Sequence, residues 1–275
     1  MTEAASYEER AKAIFGDRAD LYTTSAAHTD EQVLGRLVEI AAPNSDWRVL
    51  DIGTGTGHTA FALAPHVKDV LGLDLTEEML VEARKLASEK GIGNVSFQVA
   101  DVHRLPRELD GSFDLVTCRR AAHHFSDIHR ALSEMVRTLR PGGMLLIDDR
   151  SVPEDDWVEE TMHRLDCLHD ESHVRQYRAS CWIELLETAG LMVEIVEPYT
   201  KIRPVSALTT RVSAENVAEI HKIFDHLTSE QKSKLGVKIQ NGEQRSTHWY
   251  LMLAGRKSVG SSQGHHRHST PAIWP

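Results

Sequence analysis

A glycine-rich turn directly after a short apolar stretch is the feature that most restricts the fold of this chain. Residues 49–52 read VLDI, and residues 53–57 that follow them read GTGTG. Gly53, Gly55 and Gly57 tolerate positive φ and let the backbone approach a ligand, while amides at the start of the next helix are free to donate hydrogen bonds. The order strand, glycine turn, helix predicts a ligand site at the C-terminal edge of a parallel sheet.

Apolar stretches of strand length alternate with helical patterns between residues 47 and 150. This alternation is typical of successive βαβ units and predicts a mostly parallel sheet in an α/β fold. Helices are expected to begin near Thr76 and near Ser126 or Asp127, which can cap a first turn. The predicted strands comprise residues 48–52, 69–74, 95–100, 113–118 and 144–148.

The segments outside this core are expected to cover it or to complete its sheet. Helical patterns at residues 7–22 and 29–42 predict helices over the mouth of the site, and residues 191–196 and 249–254 predict two further strands. The predicted regions are N-terminal helices (1–45), a ligand-binding core (46–150), a helical lid insertion (151–179), the C-terminal part of the fold (180–257) and a flexible tail rich in Ser, Gly and His (258–275).

Composition narrows the classes of partner. The 275 residues include 41 acidic and 31 basic side chains, and the formal charge of -10 opposes binding to nucleic acid or to an anionic membrane face. The three cysteines, Cys118, Cys167 and Cys181, form no C-x-x-C pair, which predicts free thiols. Because no apolar run reaches the length of a membrane span and no secretory signal pattern is found, we expect a cytoplasmic protein without membrane insertion.

The residue before the glycine turn favours one of two nucleotide ligands. Residues 55–60, GTGHTA, match the G-x-G-x-x-A pattern of dinucleotide sites. Asp51 would place a carboxylate beside a pyrophosphate and repel it, whereas S-adenosylmethionine (SAM) carries an ammonium and a sulfonium group. The charge therefore favours SAM. A nicotinamide-dependent oxidoreductase is the weaker alternative, since no catalytic Tyr/Lys or Cys/His set accompanies the turn.

Two more carboxylates follow the next two predicted strands. Asp74 ends the second strand, where an acidic side chain can accept hydrogen bonds from both ribose hydroxyls of a nucleoside. Asp101 follows the third strand, where its carboxylate could accept an adenine amino hydrogen while Val102 packs against the ring. Each Asp could instead cap the turn or helix after it. Three such residues at the ends of successive strands favour a ligand site.

Taken together, these motifs resemble those of the class I SAM-dependent methyltransferases, and more narrowly the small-molecule branch of the ubiquinone/menaquinone type. The resemblance extends over about residues 14–200 and rests on the runs VLDIGTGTGHTA, GLDLTEEML, VADVHRLP, FDLVTCRRAAHHF and LRPGGMLLIDD. It implies a Rossmann-like sheet of seven strands, mostly parallel with an antiparallel last strand, flanked by helices on both faces. It also implies methyl transfer from SAM, with S-adenosylhomocysteine (SAH) as the product.

The resemblance assigns cofactor contacts residue by residue. Met79 would lie against the adenine or ribose, and Arg119 would flank the site after the fourth strand. Upstream of the core, Phe15-Gly16 and the spacing Tyr22-x-x-Ser25-x-x-His28 resemble an N-terminal segment that would close over the cofactor, and Tyr22 and Ser25 are its expected contacts. The remaining expected contacts are Asp51, Gly53, Gly55 and Gly57 for the methionine part, Asp74 and Leu75 for the ribose, and Asp101 and Val102 for the adenine.

A histidine pair after the fourth strand provides the candidate base. His123 and His124 occupy the region that faces the methyl group in the resembling families, and imidazole titrates near neutral pH. Methyl transfer is an in-line displacement that needs an aligned acceptor and, for some acceptors, removal of a proton. Either histidine could be that base. Alternatively, the pair positions a neighbouring loop or caps the helix that begins near Ser126.

The predicted lid contains a C-x-H-x-x-x-H spacing made of Cys167, His169 and His173. This spacing admits a metal site, but nothing else in the sequence supports one, and we predict no metal. Polar helical insertions usually expose such residues to solvent. Contact with the substrate is the other interpretation of the segment.

The acceptor is expected to be a small molecule. The fourth strand continues into CRRAAHH, without the Asn/Asp-Pro-Pro-aromatic motif of enzymes that methylate the amino groups of bases. A protein acceptor stays open, as does the choice between a monomer and a homodimer. A different class of activity, in which a methyltransferase fold binds SAM but catalyses a cyclisation or rearrangement, is the alternative function.

Overall fold

Nine strands in the described part of the chain form one mixed sheet. The computed structural model describes residues 7–25 and 28–259. The strands are β1 (Arg48–Ile52), β2 (Asp69–Asp74), β3 (Val95–Val99), β4 (Phe113–Arg119), β5 (Leu139–Val152), β6 (Tyr177–Arg178), β7 (Leu191–Pro204), β8 (Lys238–Gln240) and β9 (Glu243–Lys257).

The main path through the sheet contains seven strands in the order β3-β2-β1-β4-β5-β9-β7. The pairs among β1 to β5 are parallel, and β9 runs antiparallel to both of its neighbours. This confirms the Rossmann-like, mostly parallel sheet with an antiparallel last strand. Two short strands outside the prediction pair with the ends of internal strands, since β6 pairs with β5 and β8 forms a hairpin with β9.

Helices lie on both faces of the sheet, as expected. On one face of the sheet, Leu132 and Trp182 are buried against β1, β4 and β5. On the opposite face, Leu37 and Leu63 are buried against the same strands. The helices are α1 (Tyr7–Gly16), α2 (Ala19–Tyr22), α3 (Glu31–Ala41), α4 (His58–Leu63), α5 (Glu77–Glu89), α6 (Ile128–Thr138), α7 (Asp156–His169), α8 (Ala179–Thr188), α9 (Ala214–Asp225) and α10 (Ser229–Lys234).

Local signals explain where several helices start. The side chain of Asp127 accepts a hydrogen bond from the amide of Arg130 and caps α6, as the sequence predicted. The side chain of Asp30 caps α3 in the same way. The predicted N-terminal helix at residues 7–22 is interrupted, because α1 ends at Gly16 and α2 starts at Ala19.

The largest difference from the predicted elements is the length of the last strands. β5 was expected at residues 144–148 but runs from Leu139 to Val152, and β9 exceeds the predicted 249–254 at both ends. The paired strand β7 is also long. Together these ends extend the sheet past the C-terminal end of β4, which stops opposite Asp148. A third apolar cluster, which contains Leu165 of α7 and Phe224 of α9, packs at this extension.

No helix in the described ranges is long and apolar enough to cross a membrane. Most of the predicted tail, from residue 260 onwards, lies outside the described residues.

Candidate functional site

A cleft at the C-terminal edge of β1, β2 and β4 brings most of the predicted site residues together. It contains about 1030 Å³ of space, its open mouth included. The predicted residues that line it are Tyr22, Gly53, Gly55, Asp74, Leu75, Met79, Asp101, Val102, Arg119 and His124. Four predicted residues are not on its wall, namely Ser25, Asp51, Gly57 and His123.

The three glycines of the turn have different surroundings. A Cβ on Gly53 would meet the Cβ of Ala121 at 2.4 Å, and one on Gly57 would meet the ring of Phe61 at 2.7 Å. A Cβ on Gly55, whose φ is +54°, would meet no atom within 4 Å. The outer glycines therefore permit close packing, whereas the middle one leaves the backbone uncovered towards the cleft.

Asp51 lies beneath the turn rather than on the wall of the cleft. Its two carboxylate oxygens accept hydrogen bonds from the hydroxyls of Thr54 and Thr117, each at 2.7 Å. Burial raises the pKa of Asp51 to about 6, although both hydroxyls oppose this shift. The residue thus ties the glycine turn to β4 and places a titratable charge behind it.

Asp74 and Asp101 line the cleft and also cap the turns that follow them. Asp74 accepts hydrogen bonds from the amides of Gly55 at 2.8 Å and Thr76 at 2.9 Å. Asp101 accepts one from the amide of His103 at 2.9 Å, and the Nδ1 of the same ring lies 2.8 Å from the carboxylate. The two interpretations of these carboxylates are therefore compatible, because a carboxylate oxygen can accept more than one hydrogen bond.

Arg119 presents an unused donor at the cleft. Its Nε donates to the hydroxyl of Thr59 and its Nη2 to the carbonyl of His28, both at 2.8 Å. Its Nη1 is buried and has no hydrogen-bond partner among the described residues. A buried cationic donor without a partner is costly, so this atom indicates where a ligand acceptor would bind.

The structure separates the two histidines of the predicted pair. His124 lines the cleft, and its Nδ1 lies 3.0 Å from the carbonyl oxygen of Ser172. Because a carbonyl only accepts, the proton of the neutral ring is on Nδ1 and Nε2 keeps its lone pair. Burial, and secondly the neighbouring His123, lower the pKa of His124 to about 4. Its ring packs edge-on against Phe15, with 4.9 Å between centroids.

His123 lies behind His124 and contacts the predicted lid segment, residues 151–179. Its Nδ1 is 2.5 Å from a carboxylate oxygen of Asp149, and its amide donates to the other oxygen at 3.1 Å. Its carbonyl accepts hydrogen bonds from the amides of Val174 and Arg175. This geometry matches the alternative in which the pair positions a neighbouring loop. Burial alone would raise the pKa of Asp149, but its interactions with His123 and with the backbone of Arg150 outweigh burial and lower this pKa below its usual value.

The lid is less exposed than its composition led us to expect. Asp166 and His173 are 1 % and 5 % exposed, and Asp166 pairs with Arg150 of β5. Cys167 of the C-x-H-x-x-x-H spacing is half-buried, and among the described residues its sulfur has His163 as its hydrogen-bond partner, at 3.7 Å from Nε2. The described residues contain no group of three or more His, Cys, Asp or Glu side chains placed to hold a metal ion.

Phe15 and His28, which belong to the N-terminal segment expected to close over the cofactor, form part of the wall of the cleft. Arg120 lines the cleft beside Arg119 and was not assigned to the site from the sequence. The guanidinium of Arg120 donates to Asp148 at 3.3 Å and to the hydroxyl of Tyr199 at 2.9 Å. Arg120 is the second arginine of the CRRAAHH run, and this position could have indicated its place at the site. No sequence pattern marks Tyr199, its partner on β7.

Comparison with known proteins gives the family. Residues 43–233 match the family model described as a methyltransferase domain. An uncharacterized methyltransferase of Bacillus subtilis, YcgJ, is 38% identical over 185 residues, 67% of this chain and 73% of that protein. The crystal structure of YcgJ superposes with a TM-score of 0.78 at 32% identity, covering 84% of this chain and 100% of the other.

Two more distant likenesses extend this picture. The ubiquinone/menaquinone biosynthesis C-methyltransferase UbiE of Geobacter sp. (strain M21) is 32% identical over 153 residues, 53% of this chain and 65% of that protein. The [4+2]-cyclase SpnF has a TM-score of 0.63 at 19% identity, over 94% of this chain and 98% of the other, and this likeness shows the fold alone. The chain belongs to the methyltransferase domain family and is similar to its ubiquinone/menaquinone-type members.

Proposed function

We propose that this protein transfers a methyl group from SAM to a small-molecule acceptor, with His124 as the general base. The observation that carries the proposal is the cleft at the glycine turn, which combines the carboxylate of Asp74 with the unpartnered Nη1 of Arg119. The first can accept hydrogen bonds from the hydroxyls of a nucleoside, and the second can pair with the carboxylate of an amino acid group attached to it.

The chemistry of the wall fits SAM. The unused Nη1 of Arg119 suits the carboxylate of its methionine part, and the carboxylate of Asp74 suits its ribose hydroxyls. Asp101, Val102 and Met79 line the same cleft and would hold the adenine. At neutral pH Asp51 is mostly ionised, and its charge beneath the turn favours the ammonium and sulfonium groups.

When bound, SAM supplies a methyl group on a cationic sulfur, and that methyl passes in line to the acceptor while the C–S electron pair stays on sulfur. His124 is neutral at physiological pH, so its Nε2 is free to accept a proton from the acceptor. A pKa near 4 makes it a weak base before transfer. Because SAM would carry one positive charge more than SAH, a protonated His124 would be less disfavoured with the product in the cleft than with SAM.

The residues around His124 act by positioning it. Ser172 fixes the tautomer through its carbonyl, and Asp149 fixes His123, whose ring centroid lies 4.0 Å from that of His124. Phe15 of α1 packs against the His124 ring on the wall of the cleft and restricts its orientation. Neither His123 nor Asp149 lines the cleft, so we assign them no direct contact with the reacting groups.

Calorimetric titration with SAM and SAH tests the proposal. We expect the folded wild-type protein to bind both, and Asp74→Asn to weaken SAH binding at least about tenfold through lost ribose hydrogen bonds. Asp69→Asn is the matched control, because Asp69 starts the same strand at its opposite end and pairs with Arg48. A folded wild-type protein without affinity for either ligand would overturn the proposal.

The role of His124 needs a separate measurement. His124→Gln should leave SAH affinity within a few-fold of wild type, while methyl transfer to an accepted substrate falls about 10²-fold or more, as for loss of a general base. An equal loss of SAH affinity and of turnover would instead assign His124 to cofactor binding.

A further inference from the structure

The extended ends of β5, β7 and β9 bring together a second group of polar side chains, largely buried, that adjoins the cleft. Across the strands, Tyr250 pairs with Arg150 on one side and with Tyr199 on the other. Arg203 pairs with Ser246 further along β9. Residues directly opposite in antiparallel strands project to the same face, so these side chains share one side of the sheet. We call this group the arginine face.

The arginine face is continuous with the wall of the cleft. Arg120 lines the cleft, and its guanidinium lies 3.8 Å from the centroid of the Tyr250 ring. The same ring has Arg203 at 5.5 Å. Burial is the largest cause that holds the pKa of His28, which also lines the cleft, well below its usual range, and the positive charges of Arg119 and Arg120 follow it.

Arg203 differs from the other two arginines of this face in its partners. Arg120 pairs with Asp148, and Arg150 pairs with Asp166. Within the described ranges, Arg203 is half-buried and has neither a hydrogen bond nor a carboxylate partner, only the Tyr250 ring. A cation that is partly withdrawn from water without a counterion costs free energy, and an anionic ligand would remove that cost.

His248 gives a second, independent indication of a ligand. His248 lies two residues from Ser246 and two from Tyr250 on β9, so the three side chains project to the same face of the sheet. His248 is 2 % exposed. Neither of its ring nitrogens has a hydrogen-bond partner among the described residues, and the hydroxyl of Ser246 is likewise unsatisfied. Buried polar atoms are almost always paired, so three unpaired atoms beside an unpaired cation indicate a polar group supplied from outside the chain.

We propose that the methyl acceptor is a small organic carboxylate whose charged group binds Arg203 and His248 on the arginine face. This inference rests on the proposed methyl transfer and specifies its substrate class. An organic anion fits better than an inorganic one, because the stacked rings of Tyr199 and Tyr250, 5.2 Å apart, give the face an aromatic floor. The acceptor would extend from Arg203 past Arg120 towards His124 in the cleft.

The test uses benzoate as the probe, benzamide as its neutral counterpart of similar shape, and inorganic phosphate as an anion without an organic skeleton. The full-length protein is saturated with SAH, and the melting temperature is followed as each probe is added, since a ligand of the native state stabilises it by mass action. We expect benzoate to raise the melting temperature, with a half-saturating concentration at least about tenfold lower than that of benzamide or phosphate.

Variants locate the effect. Arg203→Gln should remove the preference for benzoate without lowering the melting temperature of the protein alone, because it deletes an uncompensated cation. Arg203→Lys should keep part of the preference. Arg256→Gln is the matched control, since Arg256 lies at the other end of β9 and pairs with Glu194. It should bind benzoate like the wild type.

The outcomes separate this inference from the proposed function. Equal effects of benzoate and benzamide, a stronger effect of phosphate, or equal losses in the Arg203→Gln and Arg256→Gln variants would each overturn the anion site. If SAH binds and benzoate shows no preference, only the substrate class is wrong. If SAH itself does not bind to the folded protein, the proposed methyl transfer fails first.

Discussion

At the scale of single residues, Gly55 is where the backbone and the proposed cofactor meet most closely. Its φ is +54° and a Cβ there would project into open space at the cleft. In Gly55→Ala we expect a loss of about 1–2 kcal/mol of stability from the left-handed conformation. We also expect SAH affinity to fall at least about tenfold, because the methyl group would occupy ligand space. Denaturant unfolding and calorimetric titration measure the two effects.

Gly111→Ala provides the control for backbone strain. Gly111 has φ of +59°, is exposed in a turn before β4, and a Cβ on it would also meet nothing within 4 Å. It should lose similar stability and bind SAH like the wild type. Equal losses of SAH affinity in the two variants would show that strain, rather than occupied ligand space, weakens binding.

Asp51 links the stability of the glycine turn to pH. Its pKa is about 6 in the folded protein, above the value of an unfolded Asp, so the folded state binds more protons between about pH 4 and pH 6. The contribution of this group to stability therefore falls as pH rises through that window, by up to about 3 kcal/mol. Asp51→Asn should abolish this component.

The measurement is the free energy of unfolding of both proteins between pH 5 and pH 8. Relative to the wild type, the Asn variant should gain stability as pH rises, because the amide keeps hydrogen bonds to Thr54 and Thr117 without an ionisation cost. Parallel pH curves for the two proteins would contradict a raised pKa for Asp51.

The sequence predicted those parts of the candidate site that follow from the order of strands along the chain. Asp74 and Asp101 end neighbouring parallel strands, and such ends meet at one edge of a sheet. The choice between His123 and His124 could not be predicted, because it depends on how a single short turn faces the lid loop. Arg203 could not be predicted either, because only the structure shows that its side chain has no hydrogen-bond or carboxylate partner among the described residues.

At the scale of elements, α1 is held far less firmly than the helices of the core. Its only fully buried residue is Ala11, whereas α6 buries seven residues against the sheet. Because Phe15 and Ala11 line the cleft, a bound cofactor would add contacts that α1 otherwise lacks. Segments with few buried contacts open locally more often, and a ligand that contacts them reduces that opening.

Native-state hydrogen exchange with and without SAH tests this coupling. Amides of α1 should exchange rapidly in the free protein and gain protection of about tenfold or more when SAH is bound. The amides of α6 serve as the internal reference and should change much less. Equal changes in both helices would show a global stabilisation without specific ordering of α1.

The lengths of β5, β7 and β9 show where element prediction reaches its limit. The apolar centre of β5, residues 144–148, was predicted from its composition. The polar continuation through Asp149 and Arg150 is strand because remote partners satisfy it, His123 for Asp149 and Asp166 for Arg150. Hydrophobic patterning carries no information about such partners, so the sheet extension that forms the arginine face was missed.

At the scale of the whole molecule, buried histidines are expected to dominate the dependence of stability on pH. Burial is the largest cause that lowers the pKa of His28, His124, His173 and His248. Below pH 6.5 the unfolded chain therefore binds more protons than the folded one at these positions, and stability falls as pH falls. Between pH 7 and pH 5.5 each should cost roughly 1 kcal/mol, a total that exceeds the opposite effect of Asp51.

Urea unfolding at pH 7, 6.25 and 5.5 measures this loss of stability. Substitution of one buried histidine then gives the contribution of that residue to the pH dependence. His173→Asn should reduce the slope of unfolding free energy against pH by about one proton, because the unfolded variant no longer takes up that proton. Gln32→Asn, a change at an exposed position of α3 that removes no titratable group, should leave the slope unchanged. If both variants kept the wild-type slope, the buried histidines would not be the source of the acid sensitivity, and the low pKa assigned to His124 as a neutral base would lose its support.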